Sequence, residues 1–269
     1  MLRRRFLQGA LGGLAALAVG DAVFLEPRWI RVTRHTVFLP YLPREQDGLT
    51  LVQLSDLHRG PMVSDDFLRR AVQIANGLGA EVAVLTGDFI SRSPRNAEPC
   101  AEILSELVAP QGRFAVLGNH DHWHRADRVV TALEGVGIPV LINRSLPLAE
   151  GLFLAGIDDW WVGEPDLEAA FRDVPPHQAS LLLSHSPKVL PAVAHREVVV
   201  LAGHTHGGQI NLPPIPRRWL PGLRGWRYIA GWYREGRARM YVNRGVGLIF
   251  PPIRFCCPPE ISLFTLRSP

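Results

Sequence analysis

Cysteine, lysine and acidic residues near the start are what this chain has least of. The three cysteines among 269 residues are Cys100, Cys256 and Cys257. An odd number, two of them adjacent and none in a Cys-x-x-Cys pair, excludes a disulfide framework. Lys188 is the only lysine, so 28 of the 29 basic residues are arginine. Internal repeats and low-complexity blocks are lacking, and 47% hydrophobic against 20% charged residues excludes intrinsic disorder. The first 20 residues contain no acid but hold Arg3, Arg4 and Arg5. Setting those three aside from the 29 basic residues leaves 26 against 25 acidic, a balance of +1 in place of the formal +4. Overall charge therefore gives no case for a nucleic-acid partner.

The basic start is followed by an apolar Gly/Ala/Leu run over residues 9–19, with small residues Ala18 and Gly20 before Asp21. That order is the profile of an export signal. "RRRFLQ" (3–8) resembles the twin-arginine motif, which sends folded proteins across the bacterial inner membrane. Residues 1–24 are accordingly expected to be a twin-arginine signal segment or an N-terminal anchor, and residues 25–269 one domain. The expected location is the periplasm or the outer face of the membrane, with the twin-arginine machinery as a partner. If the segment is retained, its apolar stretch is marginal for a span and is broken by Asp21.

Past Pro27, "RWIRVTRHTVFLP" reads as a strand. Short apolar runs follow at Leu51–Leu54, Val82–Leu85, Phe114–Leu117, Leu181–Leu183 and Val198–Leu201, each reading as a buried strand. Further strands are expected at Pro139–Ile142, Leu152–Ile157, Ala238–Val242 and Ile261–Leu266. Helical spacing appears in Phe67, Leu68, Ala71, Val72, Ala75 and Leu78, with Ser64 and Asp65 placed to cap. It returns in Cys100, Ala101, Ile103, Leu104, Leu107 and Val108, where Cys100 reads as packing. Strands alternating with helices, then strand-rich sequence, imply an α/β layered domain.

The residues after the five apolar runs carry the chemistry. They are "SDLH" (55–58), "GDF" (87–89), "GNHDHWH" (118–124), "SHSP" (184–187) and "GHTHGG" (203–208). The last block alone reads equally well as a loop with two hydrogen-bonded histidines. Five strand ends that each finish in Asp, Asn or His are another matter, because the carboxyl ends of strands in open α/β sheets face a shared crevice. One metal site fed by all five is the economical account. Oxygen and imidazole donors without thiolate suit manganese, iron or zinc.

In this order and spacing over residues 50–210, the blocks resemble the calcineurin-like metallophosphoesterases. The closing "YVNRGVGLIFPPIRFCCPPEI" and the early "EPRWIRVTRHTVFLP" resemble the twin-arginine-exported bacterial branch of that family. The resemblance implies a four-layer α/β/β/α sandwich of two mixed sheets, the metallophosphoesterase fold. It implies two divalent metal ions: Asp56, His58 and His206 on the first, Asn119, His185 and His204 on the second, with Asp88 bridging. It also implies attack on phosphorus by a metal-bridging hydroxide, with His120 as proton donor and Asp121 placed to orient it.

Other residues read as plain structure. His122 and His124 are expected in an outer shell or at the surface, and His35, His177 and His195 lie outside every motif. Arg59 reads either as a phosphate contact or as a side chain lying over a loop. Asp158 and Asp159 in "GIDDWW" are expected in a strand-end loop near the site. The expected activity is a phosphodiesterase or pyrophosphatase in the cell envelope. The alternatives are a phosphomonoesterase and a non-catalytic metal-stabilised scaffold. A zinc amide hydrolase is disfavoured by the absence of His-Glu-x-x-His. Residues 213–239 hold seven arginines against Glu235, among Trp219, Trp226, Trp232, Tyr228 and Tyr233. They read either as a proline-ordered lobe with solvated arginines or as a surface for peripheral contact with an anionic membrane, favouring a lipid-linked phosphate substrate.

Overall fold

The apolar runs become strands of two facing sheets. The computed structural model describes residues 8, 12–14, 16–212, 215 and 226–269. Arg3–Arg5, Arg217, Arg218 and Trp219, on which the export motif and part of the basic lobe rest, lie outside those residues. The first sheet contains β1 (Arg31–Phe38), β2 (Thr50–Leu54), β3 (Val82–Thr86), β4 (Arg113–Val116) and β11 (Glu260–Arg267), in the order β1-β11-β2-β3-β4. The second contains β5 (Arg144–Ala149), β6 (Leu152–Gly156), β7 (Ala179–Leu183), β8 (Val199–Ala202), β9 (Gly231–Glu235) and β10 (Ala238–Val242), in the order β5-β6-β7-β8-β10-β9. Both sheets are mixed: β2, β3 and β4 run parallel, as do β6, β7, β8 and β10, while β11 opposes β2 and β9 opposes β10.

The two-residue period of a strand explains why these runs are apolar throughout. Along β2 and β3, Leu51, Val82 and Val84 point between the sheets, where they meet Leu154, Leu181, Leu201 and Phe264. Their neighbours Val52, Leu54, Ala83 and Leu85 point outward onto the helices. Those helices are α1 (Asp65–Asn76), α2 (Ala97–Ser105) and α4 (Ala126–Gly135), while α3 (Asn119–Trp123) is a single short turn following β4. Ser64 caps α1 by accepting the Phe67 amide at 3.3 Å. Cys100 is buried in the packing of α2, as its spacing suggests. The second sheet is covered by α5 (Leu167–Phe171) and the 3-10 segment Pro187–Val193, through Phe171, Val189 and Val193 against Leu182, Val200 and Met240. The layers are helix, sheet, sheet, helix, as expected.

One expectation needs correction. Residues 139–142 form an isolated bridge, Ala115 to Val140, and the edge strand lies just beyond, at β5. Arg144–Ala149 carries a half-exposed pattern with Pro147 at a bulge, which gave no periodic signal. Ahead of β1, the Ala22 carbonyl accepts the Arg254 amide at 3.0 Å, and the buried Glu26 carboxylate accepts the amides of Cys256 and Cys257. Among the described residues no helix is long and apolar enough to cross a membrane.

Candidate dimetal site

The carboxyl ends of β2, β3 and β4 in one sheet and of β7 and β8 in the other meet at one edge of the sandwich. Each delivers its polar block through a tight backbone. Asp56, His58, Asp88, His204 and His206 all adopt left-handed φ values, between 49° and 74°. Such conformations are uncommon outside glycine, though Asp, Asn and His tolerate them best, and they cluster where function over-determines the backbone. The flanking glycines give the room. A Cβ on Gly118 would run into the Asp88 carboxylate, and one on Gly203 into Ser55 and Asp56.

Two groups of donor atoms result, joined through Asp88. In the first, His58 Nε2 lies 3.0 Å from His206 Nε2 and 3.4 Å from Asp88 Oδ2, and His206 Nε2 lies 3.3 Å from Asp56 Oδ1. In the second, His185 Nε2 lies 3.2 Å from Asn119 Oδ1, 3.2 Å from Asp88 Oδ2 and 3.1 Å from His204 Nδ1. All seven donors named from sequence therefore converge, and Asp56, His58, Asp88, Asn119, His185 and His206 are buried. His120 adds its ring to the rim, 4.6 Å from the His58 ring, and its amide donates to Asp88 Oδ1 at 2.8 Å.

The donor chemistry fits cations. His185 Nδ1 faces the Thr86 carbonyl at 2.7 Å, which puts a proton there and turns the Nε2 lone pair toward Asp88, Asn119 and His204. Acceptors converging with no donor between them require a positive charge. Burial opposes a charge on His185, yet the Asp88 carboxylate beside it pushes its pKa up to about 10, so the surroundings of this ring favour positive charge. Burial drives His58 down to about 3 and His204 to about 3, keeping them as neutral donors. The Cys257 thiol points away, 3.4 Å from the carbonyls of His206 and Gly207, so no sulfur joins the set. Residues of this kind, so placed, are positioned to bind a dimetal centre.

The neighbours of these donors show what three further residues touch. Among the described residues the Asp121 carboxylate makes no hydrogen bond to the His120 ring. It accepts the amides of Asp88, Phe89 and Gly118 at 2.9 Å, holding two donor loops together. Arg59 is locked to Asp65 at 2.9 and 3.1 Å and to Asn96 at 2.6 Å, so it neither reaches for phosphate nor lies free over a loop. His122 pairs with Asp158 at 2.7 Å, joining the α3 turn to the loop after β6. Asp158 and Asp159 lie near the site as expected, where Asp159 accepts the amides of Trp161 and Val162. His35 is packed among Trp232, Tyr241 and Phe264.

What the sequence motifs do not show is the wall above the donors. A cavity of about 570 Å³ has Asp88, Asn119 and His204 on its floor and Trp123, Trp161, Trp226, Ile249 and Phe250 on its sides. The doubled tryptophan of "GIDDWW" was the one available signal. The segment after β10 was the other omission. Val246 and Gly247 donate to the carbonyls of Ser55 and Asp56, and the fully buried Arg254 holds the carbonyls of Arg244, Gly245 and Gly247 in place behind them.

Comparison with known proteins agrees with this geometry. The chain is 36% identical, over all of its length and 98% of the relative's, to YkuE of Bacillus subtilis (strain 168), described as an uncharacterized metallophosphoesterase. It is 30% identical to the UDP-2,3-diacylglucosamine pyrophosphatase LpxG of Chlamydia trachomatis serovar D, over 89% of this chain and 90% of that protein. It is 28% identical to the phosphodiesterase YaeI of Escherichia coli (strain K12), over 98% of each. The model of calcineurin-like phosphoesterases matches residues 49–208, the stretch that spans all five donor blocks. The chain belongs to the calcineurin-like phosphoesterase family and is a metal-dependent hydrolase of phosphate esters.

Proposed function

We propose that the chain cleaves phosphodiester or pyrophosphate bonds of a lipid-linked phosphate in the cell envelope. One observation carries this reading: apolar, largely aromatic walls stand directly over a floor of oxygen and imidazole donors. A phosphomonoester needs little beyond that floor. A cavity of about 570 Å³ has room for substituents on both sides of a phosphoryl group, and its walls favour apolar ones. The names of LpxG, a pyrophosphatase of a diacylated sugar nucleotide, and YaeI, a phosphodiesterase, point the same way.

In this reading Asp56, His58 and His206 would hold one cation, Asn119, His185 and His204 a second, and Asp88 would serve both. Bound divalent cations supply charge neutralisation at the phosphoryl oxygens and acidify a water for in-line attack. The Asp88 carboxylate would offset repulsion between two cations, while the neutral Asn119 oxygen would leave net positive charge for an anionic ester. His120, half-buried at the rim, gives its proton to the departing oxygen. Trp123, Trp161 and Phe250 thin the water around the reacting group. The intact donor set and His120 favour an enzyme over a metal-stabilised scaffold.

The test is turnover by manganese-loaded full chain of bis-4-nitrophenyl phosphate, 4-nitrophenyl phosphate and a dialkyl pyrophosphate in detergent. Diester or pyrophosphate cleavage faster than monoester cleavage is expected, abolished by exhaustive chelation and by Asp88→Asn. Monoester preference, or full activity in protein shown to be metal-free, overturns the reading. For the envelope, Arg3→Lys with Arg4→Lys is expected to keep the protein inside the cell, and unchanged export refutes the route.

A further inference from the structure

We propose that His122 and Asp158 form a specificity clamp, which joins Trp123 and Trp161 into one aromatic wall for the substituent beside the bound phosphoryl group. This deepens the reading above, since it rests on a phosphoryl group at the donor floor and concerns what flanks it. Trp123 ends the α3 turn that begins with the donor Asn119, so the two lie four residues apart on one side of that turn. His122, one residue before Trp123, points elsewhere and reaches the Asp158 carboxylate at 2.7 Å. Asp158 and Trp161 belong to the loop after β6, which is part of the other sheet. The two indoles meet edge to face across that junction, with centroids 5.8 Å apart, and both line the cavity. Beside them stand His120, 4.8 Å from Trp123, and His204, 5.8 Å from Trp161.

Asp158 also organises the loop that carries Trp161. Its carboxylate accepts the amides of Asp159 at 2.8 Å and Glu164 at 2.9 Å, and a Cβ on Gly163 would strike it. Asp159 continues the arrangement by accepting the amides of Trp161 and Val162. Among the described residues, His122 to Asp158 is the only hydrogen bond between the α3 turn and residues 157–164. That bond raises the pKa of His122, which favours a cation facing the carboxylate. The opposite wall is fastened separately: Gln209 accepts the Ile249 amide at 2.9 Å and donates to the carbonyls of Ile249 and Pro251. Trp123 and Trp161 are exposed by 51% and 55%, so packing alone holds them loosely. The clamp supplies what packing does not, and one aromatic surface spans the seam between the sheets.

Calorimetric binding of phenylphosphonate and methylphosphonate to manganese-loaded full chain tests this without turnover. The two ligands share a phosphonate group and differ in the apolar substituent. His122→Ala is expected to weaken phenylphosphonate about fivefold, the scale of a lost aromatic contact, and methylphosphonate less than about twofold. His122→Gln, whose amide nitrogen can stand where Nε2 stands, should restore most of the preference. In a Trp161→Ala background, His122→Ala should cost nothing further, because the wall it completes is gone. Equal losses for both ligands would assign His122 to the support of Asn119, and additive losses in the Trp161→Ala background would separate it from the wall; either result overturns the proposal. Because the readout is binding, failure of the hydrolysis panel and failure of this proposal are separate results.

Discussion

The carboxylate of Asp121 accepts the backbone amide of Asp88 at 2.9 Å, and with it the amides of Phe89 and Gly118. One acid thus fixes the loop that presents another. Asp121→Ala would leave those buried amides without acceptors, at a cost of about 3 kcal/mol. Urea denaturation should show that loss, and metal content by elemental analysis should fall in step. A variant that keeps full metal and stability but loses rate would return Asp121 to the orientation of His120.

His120→Ala should behave differently. The His120 ring sits at the rim, packed against Trp123 at 4.8 Å, and its buried Nδ1 has no partner among the described residues. Removing the ring should leave both cations in place and slow turnover by roughly 10²–10⁴-fold, the usual scale for one general acid. The deficit should shrink for nitrophenyl esters, whose leaving group needs little protonation. Equal deficits across leaving groups would indicate positioning.

Glu260 joins the two sheets. From β11 it accepts Thr33 Oγ1 at 2.6 Å on β1, Tyr241 Oη on β10, and Arg244 at 3.0 Å. Burial opposes its charge, but Arg244, Thr33 and Tyr241 outweigh burial and hold the carboxyl below its ordinary value. A depressed carboxyl pKa stabilises the fold above the unfolded value, about 4.3, and that contribution fades as pH falls through the folded value. Glu260→Gln should therefore cost about 2 kcal/mol at pH 7, with the two unfolding curves converging below about pH 4. A gap independent of pH in urea titrations would exclude the ionised form as the source.

The surface at the rim of the cleft and beyond it carries its own expectation. Leu14, Leu17, Phe24, Leu25 and Phe250 are exposed, Phe250 by 75%, and the basic lobe follows the His204/His206 block. Sedimentation should show salt-sensitive binding to anionic vesicles and little to neutral ones, because each basic residue near such a surface contributes about 1 kcal/mol. Combined Arg217→Ala, Arg218→Ala and Trp219→Ala should weaken it. Indifference to salt and to those changes would return the lobe to a solvated surface.

The donors were legible in sequence because each closes an apolar run. A buried strand must end in a turn, and Asp, Asn, His and Gly are the residues that turn with a left-handed backbone and still offer ligand atoms. The layers were legible for the same reason, through strand and helix periods. β5 and β9 were not, since edge strands with half-exposed faces carry no clear period. The amides that Asp121 holds were not legible either, because Asp88 and Phe89 are distant from it in the chain.

By itself, then, the sequence determined which side chains gather at the strand ends and that they are oxygen and imidazole donors. Both follow from local rules of periodicity and turn chemistry. Only the tertiary structure decided that Arg59 is spent on Asp65 and Asn96, that Trp123, Trp161 and Trp226 wall one cleft, and that Lys188 lies against two of those rings. These are contacts between segments distant in the chain. Their partners are set by how two sheets pack face to face, which no local pattern records.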